Sequence, residues 1–168
     1  MMKNLILYRI EGDVLPDLAG LDEALGSGAF VSCGPTQPMS SGWVPPRAEG
    51  GALVESIGGQ WVLKLWIEQR MLPTAVINRR ADELAAKIET ETGRKPKGKR
   101  LRELKEEVRL ELLPRAFTRE SAVMVWIDPT ERTVAVGASS ASRADVVATA
   151  LIACVPKLNL HALRTVTD

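Results

Sequence analysis

The chain has one histidine, His161, two widely separated cysteines, Cys33 and Cys154, and only 4% aromatic residues. Each shortage closes off a class of chemistry. One imidazole and two scattered thiols fall short of metal-ligand spacing, so no metal and no cofactor are expected. His161 sits in a short apolar segment, tied to no serine or cysteine by a nucleophile motif, and reads as a packing or surface residue. The cysteines form no CxxC pair, which argues against a disulfide scaffold and makes a reducing cytosol the expected compartment. Neither GxxxxGK[ST] nor a strand-following GxGxxG occurs, so no nucleotide-phosphate loop is expected. The scarcity of aromatics argues against a base-stacking platform. No run approaches the ~20 apolar residues of a membrane span. The opening Leu5-Ile6-Leu7-Tyr8 is too short for a signal sequence. These exclusions together predict a cytoplasmic protein without catalytic activity.

What is present is the material of an ordinary core. Hydrophobic residues make up 45% of the 168 and charged residues 26%, which suits one domain, with room for a projecting subdomain. Residues 4–10 read as a short strand. Leu18, Leu21 and Leu25 then follow at helical spacing, with Gly26 and Gly28 as a stop. Residues 33–51 are dense in proline, glycine and serine and predict an ordered loop that can sustain neither a helix nor a central strand. Trp43-Val44 anchors that loop on the core, in preference to serving as an exposed partner-binding tryptophan. Gly58-Gly59-Gln60 matches the catalytic tripeptide of release factors, but it directly precedes the alternating residues 61–67 and is read as a turn entering a strand. Residues 122–127 and 133–138 flank Asp128-Pro129-Thr130-Glu131-Arg132 in a second β unit that reads as a β-hairpin. Ser142 is expected to cap a helix with Val147, Ala150, Leu151 and Cys154 on one face, ended by Pro156. Cys154 reads there as a small core residue rather than a reactive thiol. Residues 158–163 suit a final edge strand.

The central third is distinct. Pro73 ends a strand and Thr74 is placed to cap a helix whose Ile77, Ala81, Leu84 and Ile88 make a narrow apolar stripe, with Arg79, Arg80 and Lys87 off it. A second helix runs from Gly98-Lys99 to Leu113, limited by Pro114, with Leu101, Leu104, Val108 and Leu112 on one stripe and Arg102, Lys105 and Arg109 beside it. Facing stripes imply an antiparallel helical hairpin whose tip is residues 93–98. From Arg94 to Arg109 there are eight basic residues and three acids, 8 − 3 = +5, whereas the whole chain carries +1. Charge is therefore segregated, which points to a polyanion. On the second helix, pairs such as Lys99–Glu103, Arg102–Glu106 and Glu106–Arg109 offer the alternative of a self-compensated solvated face. No acid lies between Arg94 and Arg102, so the tip is the stronger binding element. No asparagine or glutamine occurs between Gly93 and Phe117, so base readout by a recognition helix is not expected.

Several stretches together resemble the bacterial recombination-associated RdgC family. They are Lys3-Asn4-Leu5 with Tyr8-Arg9, Phe30 with Cys33-Gly34, Gly42-Trp43-Val44-Pro45-Pro46, Ile67-Glu68, Met71-Leu72-Pro73, Val76-Ile77, Leu112-Leu113-Pro114-Arg115-Ala116-Phe117 and Met124-Val125-Trp126-Ile127-Asp128. The resemblance implies DNA-binding proteins without catalytic activity that form ring-shaped homodimers around duplex DNA. It also implies little sequence preference, restraint of recombinase (RecA) filaments, and a helical finger at residues 74–113. Arg115 and Phe117 become candidates for an inter-subunit or hinge contact. Members of that family are about twice this length, so the chain resembles their N-terminal half.

The resulting expectation is an α+β fold: small mixed or antiparallel sheets packed with helices, and a projecting antiparallel helical hairpin. Residues 1–72 and 114–168 form the body and 73–113 the finger. Arg94, Lys95, Lys97, Lys99, Arg100 and Arg102 are the expected phosphate contacts. Double-stranded DNA is the first expected partner and single-stranded DNA the second, with a homodimer, functional antagonism of the recombinase and no membrane; nucleoid association follows from these. The alternative is a protein-interaction module in which the second helix docks an acidic partner. Electrostatic attachment of the hairpin to a membrane lacks the apolar anchors that an interfacial helix needs.

Overall fold

A computed structural model describes residues 4–47 and 51–163. In chain order the elements are β1 (Ile6–Glu11), α1 (Leu18–Gly26), β2 (Met39–Val44), β3 (Val54–Ile57), β4 (Gln60–Arg70), α2 (Thr74–Thr92), α3 (Lys99–Leu112), β5 (Thr118–Asp128), β6 (Thr133–Val136), α4 (Ala141–Cys154) and β7 (Asn159–Leu163). A single turn of 3₁₀ helix, Leu113–Arg115, follows α3. The fold is α+β. Where small sheets were expected, the described strands join one seven-stranded sheet of order β2-β4-β5-β6-β1-β7, with β3 paired to β4. Long-range antiparallel pairing makes the difference: β1 is flanked by β6, with Tyr8 opposite Val134, and by β7, with Tyr8 opposite Ala162.

The chain divides into two compact units, one of Ser32–Ser40 with Glu68–Glu120 and the other of the remainder. In the larger unit, alternation along the strands builds the core. Val123, Val125 and Ile127 of β5 and Leu63 and Leu65 of β4 are fully buried, with Leu21 and Leu25 of α1 and Val147 and Leu151 of α4 in the same cluster. The Tyr8 hydroxyl donates to Asp145 at 3.3 Å. Its pKa is raised by burial and further by the Asp145 carboxylate.

Local signals were read correctly at both hairpin turns. Gly58 and Gly59 take φ of 60° and 82° between β3 and β4, a left-handed pair that a two-residue hairpin requires. At the β5–β6 turn the Asp128 carboxylate accepts from the amides of Thr130 and Glu131, each at 3.0 Å. His161 is exposed on β7, an edge strand, opposite Arg9.

Three local expectations are corrected. Residues 39–44 form strand β2 instead of loop; the position is an edge, so proline-bounded chain needs only one ladder there. Residues 48–50 of that stretch lie outside the described ones. Trp43 is a core anchor as expected, 1% exposed. Its amide donates to the Gly28 carbonyl and its carbonyl accepts from Phe30, while its indole Nε1 is buried without a partner among the described residues. The cap of α4 is Ser140, whose hydroxyl accepts from the Arg143 amide at 3.3 Å, two residues earlier than Ser142. Thr74 is the first residue of α2, and Pro73 precedes it, so no side chain caps that helix.

Candidate nucleic-acid interface

The smaller unit is the helical hairpin with its two strand-end feet. Ile77 and Ala81 of α2 and Val108 of α3 are buried in one cluster, joined by the half-buried Leu72, Leu84 and Leu112. Ala81, on the expected narrow stripe, and Ala85, which was not on it, are both fully covered. Ile88 and Leu101 are only half-buried. An Arg80–Glu111 pair at 3.5 Å spans the two helices.

α2 closes on Gly93, whose φ of 75° is the left-handed stop that glycine adopts without strain. The turn that follows is pinned. Thr92 Oγ1 accepts from the Arg94 amide at 3.3 Å, and Pro96 is buried among exposed neighbours. Order in the backbone thus coexists with exposure of Arg94, Lys95 and Lys97. Their side chains make no ion pair among the described residues.

α3 then begins without a side-chain cap and without an acid in its first turn, where Lys99, Arg100 and Arg102 stand instead. Cations at a helix N-terminus oppose the macrodipole by roughly 0.3–1 kcal/mol each at low salt. This placement weakens the free helix, and an anion beside the turn would relieve it.

The six expected contacts do not share one surface. Residues two apart on a helix point to opposite flanks, which separates Arg100 from Arg102. Arg100 reaches Glu103 at 3.8 Å and Glu107 at 3.9 Å, long exposed contacts that offset part of its charge within α3. Of the three ion pairs expected from spacing, Glu106–Arg109 forms at 3.8 Å; Lys99 and Arg102 make none among the described residues. Arg94, Lys95, Lys97, Lys99 and Arg102 remain as the unpaired set.

Sequence reasoning missed Arg70. It donates to the carbonyls of Gln37 at 3.2 Å, Gly34 at 3.1 Å and Ala116 at 3.3 Å. The neighbouring Met71 amide donates to the Phe117 carbonyl at 2.7 Å. Arg70 therefore clasps the loop 32–38 and both feet of the hairpin, and nothing in its local sequence signals that. Arg115 is exposed and Phe117 is 89% exposed, an aromatic ring left wholly outside this unit's core. Beside the clasp, Glu68 is buried and accepts from the Cys33 amide at 3.0 Å. The Cys33 thiol is pushed up in pKa, first by desolvation and then by its Glu68 contact.

No group of three or more His, Cys, Asp or Glu side chains able to hold a metal is found among the described residues. No helix among them is long and apolar enough to cross a membrane.

Fold and charge layout define an α+β protein that carries a cation-tipped helical hairpin. The chain belongs to the RdgC family: the family model described as "Putative exonuclease, RdgC" matches residues 1–168. A curated relative, "Recombination-associated protein RdgC" of Dechloromonas aromatica (strain RCB), is 45% identical over 97% of this chain and 53% of its own length. Proteins of the same name from Herminiimonas arsenicoxydans and Janthinobacterium sp. (strain Marseille) are 43% and 42% identical, over 98% and 96% of this chain. Each is covered over 54% of its length, so the chain spans about half of the curated relatives it matches.

Proposed function

We propose that this chain is a sequence-independent DNA-binding module acting in recombination, without catalytic activity. Arg94, Lys95, Lys97, Lys99 and Arg102 contact phosphates directly, and Arg100 contributes when it exchanges Glu103 and Glu107 for DNA. The observation that carries the reading is the unpaired cationic cluster on a pinned, exposed turn, continued into an uncapped helix start. Membership in a family whose curated members are named recombination-associated supports the process. Binding in preference to exonuclease chemistry is the reading that the charge layout favours, since phosphate neutralisation with counterion release needs cations alone.

Residues 73–113 act as the finger and 1–72 with 114–168 as the body. Duplex DNA is the main partner and single-stranded DNA a secondary one. Two copies assemble as a ring-type homodimer, with Arg115 and the exposed Phe117 at the inter-subunit or hinge contact. Occupancy of DNA by this dimer restrains the recombinase (RecA) and places the protein on the nucleoid.

The test is a salt titration of duplex binding: log Kd should rise steeply and linearly with log salt concentration. A slope near zero would sink the proposal.

A further inference from the structure

The smaller unit holds a cavity of about 200 Å³ that plays no part in the proposed phosphate contacts. Its lining divides by chemistry. Ile77 and Leu113 are buried and Leu72 half-buried, and these make an apolar floor with Pro38 and Met39 beside it. Arg70, Arg109, Gln69 and Thr74 supply the polar wall, and no carboxylate among the described residues lines the space.

The two arginines differ usefully. Arg70 is fixed by three carbonyls and makes no ion pair among the described residues, so it is a positioned cation. Arg109 is exposed, and only a long 3.8 Å contact with Glu106 offsets it. Paired guanidinium groups favour carboxylate oxygens through charge-assisted, bidentate hydrogen bonds. A bare phosphate would satisfy the arginines and leave the apolar floor wet. A ligand that uses both parts has an anionic group next to an apolar body.

We infer that this cavity is a docking site for an acidic peptide segment of a partner protein, with one apolar anchor residue on the Leu72–Ile77–Leu113 floor and a flanking carboxylate on Arg70 and Arg109. Charge complementarity selects the occupant, and the floor demands the anchor. The site stands apart from the DNA reading and does not depend on it.

The experiment is fluorescence anisotropy with a fluorescein-labelled, end-capped peptide Asp-Asp-Leu-Asp-Asp on the whole chain. Replacing its leucine by serine, or its aspartates by asparagine, is expected to weaken binding about tenfold or more, ~1.4 kcal/mol. Thr74→Trp, which fills the cavity, and Arg109→Glu, which reverses its wall, should each produce a loss of the same size, with circular dichroism reporting the fold. Combined Arg94→Ala, Lys95→Ala and Lys97→Ala should leave peptide affinity unchanged while DNA binding falls. Equal binding of the serine peptide overturns the inference, as does wild-type affinity in the folded Arg109→Glu protein. Displacement of the peptide by duplex DNA from the triple-alanine protein would assign the cavity to phosphate, and also overturns it.

Discussion

The triple change Arg94→Ala, Lys95→Ala and Lys97→Ala tests the proposed interface with an expected number. These residues are exposed, unpaired among the described residues and held on a turn whose backbone is fixed by Thr92 and the burial of Pro96. Truncating them should therefore leave the fold alone. Each phosphate contact contributes about 0.9 to the slope of log affinity against log salt. Losing three contacts lowers the slope by up to about 2.7, so doubling the salt weakens the variant about sixfold less than the wild type. Arg100→Ala is the internal control. Glu103 and Glu107 offset part of its charge, so its loss should change the slope by less than one full contact. Duplex binding measured by anisotropy from about 50 to 200 mM salt, the range over which such slopes resolve, reads both. An unchanged slope in the triple variant, or a larger change for Arg100→Ala than for all three tip residues, would refute the assignment of the tip as the phosphate surface.

Further outcomes concern ring formation, chemistry, packing and the clasp. On closed circular duplex the protein should be retained at a salt concentration that releases it from linear duplex of the same length, as a mobility-shift comparison would show; equal release speaks for simple surface binding. End-labelled duplex incubated with protein and magnesium should remain full length, and progressive shortening would favour exonuclease chemistry. Gly42→Ala places a Cβ 2.4 Å from the Phe30 Cα and 2.5 Å from its amide nitrogen, against backbone that cannot yield. The cost is roughly 3 kcal/mol, a drop of about 6–12 °C in Tm for a chain of this size; an unchanged melt contradicts the packing at Phe30–Trp43. Glu68→Gln should lower the Cys33 pKa, because the carboxylate helps hold it up. More thiolate is then present at any pH below that pKa, so a disulfide reagent should label Cys33 faster than in the wild type. Slower labelling would reverse the sign of the Glu68 effect.

Local chemistry is why so much of the hairpin was legible. Ile77, Ala81, Val108 and Leu112 recur at helical spacing, and Gly93 and Gly98 supply the positive φ values that bound the turn. The β5–β6 turn was equally open to reading, because the Asp128 side chain satisfies two amides within three residues. Capping was harder to read, since Ser140 and Ser142 differ by two positions and both suit a helix start. Strand β2 was hidden by the prolines on either side of it and by Gly42, which is there because Phe30, twelve residues earlier, lies against it.

At the candidate interface the division is sharper. The sequence alone determined that basic charge is concentrated between residues 94 and 109 and that two amphipathic helices flank its tip, because periodicity and composition are properties of neighbours along the chain. Only the tertiary structure set Arg80 of α2 across the hairpin against Glu111 of α3. It alone brought the carbonyls of Gly34, Gln37 and Ala116 around Arg70 and the cavity residues from Pro38 to Leu113 into one place. Contacts between residues more than thirty positions apart are set by packing and strand order, which no local pattern encodes.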